Sequence, residues 1–231
     1  MQEVVRQEKK YLLTYLQFRE LDGKLSKVLH ADEHGKEEGY CVRSLYFDTF
    51  GNDDFMEKED GIELRRKIRL RIYEPKAEFA KLEMKQKQGD GQKKRSLNVK
   101  REDAMALAKG DYSCLLNYKE DFAQEMYTYM TMRFYRPKSI VEYRRKAYSV
   151  KENNIRITFD YEIKATESNF DLFAENLNQY PVFDNQLVVM EVKYNGFLLD
   201  YIKDLLSASD KEQTAISKYC LSRSIGLHYH Y

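Results

Sequence analysis

The chain has 231 residues, 42% hydrophobic and 33% charged, with 39 basic and 38 acidic side chains and a formal net charge of +1. The length suits one domain with a sizeable core, and the composition excludes intrinsic disorder, which needs low hydrophobicity and high net charge. The charge balance argues against a general nucleic-acid binder, whose footprint is a strongly basic domain, so any anion site must come from segregation of charge rather than excess.

The first ten residues alternate Arg6, Glu8 and Lys10 and predict a strand. Thr14 then caps a predicted helix with Leu16, Phe18, Leu21, Leu25, Val28 and Leu29 at mostly helical spacing, interrupted by Gly23. Residues 31–39 are charged and contain glycine, so a loop is expected before a strand at Tyr40 to Asp48. Residues 51–61 are acidic and rich in turn formers. Next comes Lys67-Ile68-Arg69-Leu70-Arg71-Ile72-Tyr73, a strand ended by Pro75, and then a strand from Glu78 to Lys87. Gln88 to Gln92 read as a flexible turn, followed by Lys93-Lys94-Arg95-Ser96-Leu97. A mostly helical insert spans 101–135, with Phe122, Met126, Tyr129, Met130 and Arg133 at three-to-four spacing, and Pro137 closes it. Strands at 139–150 and 155–165 flank a tight turn at Glu152-Asn153-Asn154; a strand at 187–194 and helices over most of 197–224 follow. Many strands with short returns predict an antiparallel sheet decorated by helices.

Three cysteines, Cys41, Cys114 and Cys220, lie far apart in no metal-ligand spacing, which fits a reducing compartment. The N-terminus lacks the apolar core of a signal peptide, and no run approaches the roughly 18 to 20 apolar residues of a membrane span. The expected setting is soluble and cytoplasmic. Gly89-Asp90-Gly91 lacks the Lys-Ser/Thr of a P-loop, and the histidines suggest no metal set.

In the 67–73 strand, Lys67, Arg69 and Arg71 share one face and Ile68, Leu70 and Ile72 the other. A lone strand of this kind is ordinarily a solvated sheet face. Here the grammar recurs at Glu83-x-Lys85-x-Lys87, at 141–146, at Arg156-x-Thr158-x-Asp160 and at Glu191-x-Lys193. Cations facing one another on paired strands repel, by roughly 4 kcal/mol per pair at about 4 Å and an effective dielectric near 20, and so require counter-ions or ligand. Closed as an eight-stranded barrel with apolar residues outward under the helices, such a sheet has a charged interior. The mixture of Arg forks and mobile Lys suits condensed phosphates.

Several of these segments form a series that resembles the polyphosphate polymerase domain of the vacuolar transporter chaperone (VTC) family, within the triphosphate-tunnel superfamily. The motifs are Arg6-x-Glu8-x-Lys10-Tyr11, Ser44-Leu45-Tyr46-Phe47-Asp48-Thr49, Lys67-x-Arg69-x-Arg71-x-Tyr73, Glu83-x-Lys85-x-Lys87, Lys94-Arg95, Tyr143-x-Arg145-x-Ala147-Tyr148, Arg156 to Asp160, Glu191-x-Lys193-Tyr194 and Ser217-Lys218-Tyr219. The resemblance implies an α+β fold, mainly antiparallel β, forming an eight-stranded triphosphate-tunnel barrel with helices packed outside. It implies polyphosphate synthesis from ATP with Mn²⁺ or Mg²⁺. Lys10, Arg69, Arg71, Lys85, Lys94, Arg145, Arg156 and Lys218 would bind phosphate; Lys10, Arg69, Arg71, Glu191 and Lys218 would serve catalysis; Glu191 and Glu8 would hold metal. With no long stretch left for a phosphate-sensing domain or membrane anchor, the stand-alone prokaryotic form is expected.

The chain departs from the family pattern at three places. Arg6 stands where the superfamily has Glu, Ala215 and Ile216 stand where a further base precedes Ser-Lys-Tyr, and either Arg144 or Arg145 faces the charged interior. A tripolyphosphatase of the same fold and a non-catalytic polyphosphate or nucleotide binder are the alternatives.

Overall fold

A computed structural model describes residues 6–32, 38–89, 91–207 and 212–228. Its elements in chain order are β1 (Arg6–Thr14), α1 (Tyr15–Val28), β2 (His30–Ala31), β3 (Tyr40–Asp48), α2 (Asp53–Glu59), β4 (Arg65–Ile72), β5 (Phe79–Gln88), β6 (Gly91–Lys100), α3 (Arg101–Ala108), α4 (Asp121–Met132), β7 (Arg136–Val150), β8 (Ile155–Thr166), β9 (Tyr180–Pro181), β10 (Leu187–Asn195), α5 (Asp200–Ser207), β11 (Glu212–Gln213) and α6 (Lys218–His228). Among the described residues eight strands have eight residues or more. The pairings β1–β10, β10–β8, β3–β4, β4–β5 and β5–β6 are antiparallel, as the α+β reading expects. No helix among the described residues is long and apolar enough to cross a membrane. The chain forms two compact units, one of Met1–Cys41, Tyr143–Ile163 and Phe183–Ile216, the other of Val42–Glu142, Lys164–Val182 and Ser217–Tyr231.

In the first unit the strand order is β11-β1-β10-β8-β7, with residues 143–150 of β7. Helix α1 begins at a capping box, in which Gln17 N donates to Thr14 Oγ1 at 3.2 Å and Thr14 N donates to Gln17 Oε1 at 2.8 Å. The helix runs through Gly23 without interruption, because Phe18, Leu21 and Leu25 are buried in the core with Ile157, Phe159, Met190 and Val192. Burial of each such side chain contributes about 1.5 to 3 kcal/mol, more than the roughly 1 kcal/mol that a helical glycine costs. Leu16 and Val28, expected on the apolar stripe, are exposed instead. The predicted turn between the two long strands is a 3-10 turn at Glu152–Asn154 in which Asn153 and Asn154 take φ of 53° and 46°. Asparagine tolerates that left-handed backbone better than most residues.

In the second unit the order is β7-β3-β4-β5-β6, with residues 136–142 of β7. Leu45, Phe47, Ile68, Leu70, Ile72, Leu82, Met84, Leu97 and Val99 form one core with Leu107 of α3 and Met126 and Met130 of α4. Three features differ from the sequence expectations. The segment 91–100 is a full strand, β6, although only Leu97 and Val99 give it an apolar alternation. The acidic stretch expected as turns contains α2. Pro137 lies at the second position of β7 rather than before it, where its missing N–H is tolerated near a strand start. Asp90 and residues 33–37 of the expected loops lie outside the described residues.

Asp48 explains α2. Its carboxylate, fully buried, accepts from the backbone N–H of Thr49 at 2.7 Å, Asp54 at 2.9 Å and Phe55 at 3.0 Å, taking up N–H groups that the helix start leaves without partners. Tyr219 Oη donates to the same carboxylate at 2.5 Å. The Asp of Ser44–Thr49 and the Tyr of Ser217–Tyr219, far apart in sequence, are therefore one buried structural contact.

Candidate functional site

Strand register sets the charged face of the second unit. Arg65, Lys67, Arg69 and Arg71 of β4 stand opposite Lys87, Lys85, Glu83 and Lys81 of β5, and Lys94, Ser96, Asn98 and Lys100 of β6 continue the same face. On these three strands that face carries nine cationic positions and a single carboxylate, Glu83. The opposite positions, Ile68, Leu70, Leu82 and Met84, are in the core. The sequence-predicted Arg69, Arg71, Lys85 and Lys94 thus come together on one surface.

Glu83 is 2% exposed and organises the cations around it. Arg69 Nε donates to Glu83 Oε2 at 2.7 Å, Arg71 Nη1 lies 3.9 Å from the same oxygen, and Lys94 pairs with Oε1. Burial raises the carboxyl's pKa, but Arg69, Arg71 and Lys94 outweigh that and take it down to about 2. A single carboxylate anchors three cations without neutralising them.

Strand β3 extends this face, since Ser44 and Tyr46 stand opposite Arg71 and Arg69. Ser44 Oγ accepts from Arg71 Nε at 3.2 Å, and Tyr46 Oη accepts from Arg69 Nη1 at 3.3 Å. The Tyr46 ring stacks on Tyr219 with centroids 5.2 Å apart. Ser217 precedes α6 and accepts from Cys220 N at 3.3 Å and from Lys67 Nζ at 2.6 Å, so the helix start carrying Lys218 is tied to the charged face. Lys218 itself is half-buried. Arg95, next to Lys94 in sequence, points the other way, pairs with Glu125 and lies over Phe122.

Asp54 is a second buried carboxyl beside Asp48. Burial, and then the Asp48 charge, push its pKa up to about 8 although Tyr135 Oη donates to it at 3.0 Å. The unfolded chain therefore gives up this proton near pH 4 and the folded chain near pH 8, so the unfolded state binds fewer protons between them and stability falls as pH rises through that window. Asp54→Asn should remove the slope, stabilising the fold by about 1 to 3 kcal/mol more at pH 7 than at pH 5. Urea melts of both proteins at the two pH values test this; an unchanged difference would refute it.

The charged face of the first unit has another character. Glu8 and Lys10 of β1 stand opposite Lys193 and Glu191 of β10, which in turn face Arg156 and Thr158 of β8. Lys193 Nζ lies 2.5 Å from Glu191 Oε1 and 3.9 Å from Glu8 Oε2, and Lys10 Nζ lies 3.7 Å from Glu8 Oε1. An ammonium thus already occupies a position between two carboxylates of neighbouring strands. Lys10 also donates to Ile216 O at 3.0 Å, and Arg156 bonds Asp32 and, at 3.2 Å, Tyr40 Oη.

The choice between the adjacent arginines is a matter of strand parity. Arg145 forms a two-point pair with Asp160, at 2.6 and 2.8 Å. Asp160 alternates with Arg156 and Thr158 on β8 and so belongs to the Glu191 face, whereas Arg144 is exposed beside Glu38 and Glu162. Burial lowers the Arg145 pKa, but Asp160 holds it well above the usual value, so its charge is permanent. Arg6 begins β1.

Two carboxylates suit a hard divalent cation that takes its remaining ligands from phosphate oxygens and water. Among the described residues no group of three or more His, Cys, Asp or Glu side chains is placed to hold a metal. Glu8 and Glu191 are two carboxylates on neighbouring strands that share the Lys193 ammonium. Reasoning from cations alone missed Tyr46 and Ser217; the motifs in which they stand were the available signal.

Two solved structures share this arrangement of strands and helices. HpAC1 from Hippeastrum, assigned as an adenylyl cyclase and having a dominant triphosphatase activity, is 13% identical over 96% of this chain and 95% of its own, with a TM-score of 0.58. A Bacillus halodurans protein assigned as an adenylate cyclase is 13% identical over 88% of each chain, with a TM-score of 0.50. No curated protein matches the chain. At this identity the likeness is one of fold. More narrowly, the VTC domain profile matches residues 5–225, and the chain belongs to the VTC domain family.

Proposed function

We propose that the protein is a metal-dependent polyphosphate polymerase that transfers the γ-phosphoryl group of ATP to a growing polyphosphate chain. The observation that carries this reading is the face of β4, β5 and β6, with nine cationic positions against one carboxylate, in a chain whose overall charge is +1. Membership of the VTC domain family supports it. Arg69, Arg71, Lys85, Lys94 and Lys218, with Lys10, Arg145 and Arg156, are assigned to phosphate binding. Arg69 and Arg71 fix phosphoryl oxygens as forks, and the lysines neutralise charge that grows in transfer. Glu191 and Glu8 would hold Mn²⁺ or Mg²⁺. When bound, such an ion neutralises phosphate oxygens and orients them.

The acceptor in chain growth is a terminal phosphate oxygen, already anionic near neutral pH, so a catalytic base is not required. This agrees with a candidate site made of cations and carboxylates. A tripolyphosphatase, in which water replaces the phosphate acceptor, is the second reading, and the activity of the similar HpAC1 favours it. Incubation with ATP and Mn²⁺ followed by sizing of the phosphate products separates the two. Long chains are expected; orthophosphate or pyrophosphate alone would overturn the polymerase assignment.

A further inference from the structure

Tyr46 is 5% exposed, yet it stands among cations rather than in the apolar core. Its hydroxyl accepts from Arg69 Nη1 at 3.3 Å, and Arg69 Cζ lies 5.9 Å from its ring centroid. Tyr219 of α6 stacks on the ring and is held by its own hydroxyl on Asp48. Ring and hydroxyl are thereby fixed, with the oxygen on the surface assigned to phosphate. A hydroxyl in that place has one proton, which an incoming phosphate oxygen can accept in a hydrogen bond. A phenolate there would instead meet the polyanion as a like charge and would occupy Arg69.

We propose that Tyr46 is a positioning and proton-bearing residue of the phosphate site, which accepts a polyphosphate only while the Tyr46 hydroxyl keeps its proton. This rests on the phosphate-binding reading of the same face. The charged and titratable groups around the hydroxyl are Lys67, Arg69 and Arg71 from β4, Glu83 of β5 behind Arg69, and Tyr219 of α6 with Asp48. Burial raises the Tyr46 pKa, but Arg69, Arg71 and Lys67 prevail and bring it down to about 8. Cations gathered to bind phosphate thus also favour loss of the tyrosine proton, and the two demands compete. By linkage, phosphate binding above that pH takes up one proton from solvent, converting phenolate to phenol.

The test uses inorganic tripolyphosphate with the full chain in EDTA, comparing wild type with Tyr46→Phe by calorimetry from pH 7 to pH 9. One pH unit above the midpoint about one hydroxyl in eleven keeps its proton, so wild-type affinity should fall about tenfold more steeply than that of Tyr46→Phe. At pH 9 the free wild-type protein should show a phenolate absorption that Tyr46→Phe lacks, and tripolyphosphate should bleach it. Parallel pH profiles, or a phenolate band that saturating tripolyphosphate leaves unchanged, would overturn the inference. The bleaching decides the matter in wild type alone if the variant does not fold. Absence of tripolyphosphate binding to wild type at pH 7 would overturn the phosphate-site reading, and this inference with it, whereas equal pH dependence of the two proteins defeats only the role of Tyr46.

Discussion

Arg69→Ala is expected to lower kcat/KM for ATP by about 100- to 1,000-fold, while Arg95→Ala stays within about threefold. Both changes delete one arginine from strands that flank β5 in the same sheet, so net charge is altered equally. The difference lies in the face. Arg69 shares a surface with Lys67, Arg71, Lys85 and Lys94 and is oriented by Glu83 and Tyr46, whereas Arg95 is on the opposite side with Glu125. Arg69→Lys should recover only part of the loss, because an ammonium keeps the charge but not the two-point fork. Steady-state kinetics decide, with thermal melts to confirm folding. Equal losses from Arg69→Ala and Arg95→Ala would mean that general charge, not this face, binds the nucleotide.

Glu191→Ala should reduce Mn²⁺-dependent turnover about 1,000-fold or more while leaving inorganic tripolyphosphate bound within about tenfold. Glu191 is 6% exposed and contacts the Lys193 ammonium, which also lies near Glu8. Without Glu191 the carboxylate pair is reduced to Glu8, too few hard oxygens to retain a divalent ion at low concentration. Paramagnetic resonance of Mn²⁺ in the presence of tripolyphosphate would read the loss of metal directly, apart from turnover. Retained metal binding would remove Glu191 from the proposed donor set. Turnover that vanished together with all tripolyphosphate binding would point to collapse of the charged face instead.

Strand parity is legible in the sequence wherever apolar and charged residues alternate over a whole strand. Ile68, Leu70 and Ile72 against Lys67, Arg69 and Arg71 are enough to place β4 and its charged face from residue order alone. Strand β6 escaped because Gly91 to Arg95 carry no apolar residue, and its pairing with β5 supplies what its own pattern lacks. Helix α2 was hidden for another reason. Its start is satisfied by Asp48, the last residue of β3, rather than by a side chain at the cap position. Arg144 and Arg145 could not be told apart because consecutive arginines occupy both faces of a strand, and only the position of Asp160 across the hairpin separates them. Tyr46 was visible as part of a motif, but nothing in a tyrosine's identity announces that three cations surround its hydroxyl.

The one-sided charge of β4 and β5 also bears on how the chain finds its fold. A register slip of one residue would turn Lys67, Arg69 and Arg71 into the core and expose Ile68, Leu70 and Ile72, so every wrong odd alignment is strongly disfavoured. Even slips keep the faces and leave Glu83 opposite another cation, Lys67 or Arg71, so the alternation selects the parity of the pairing rather than its exact alignment. The same alternation that gathers cations on one face thus proofreads which side of each strand turns inward, before any side chain on that face has found a partner.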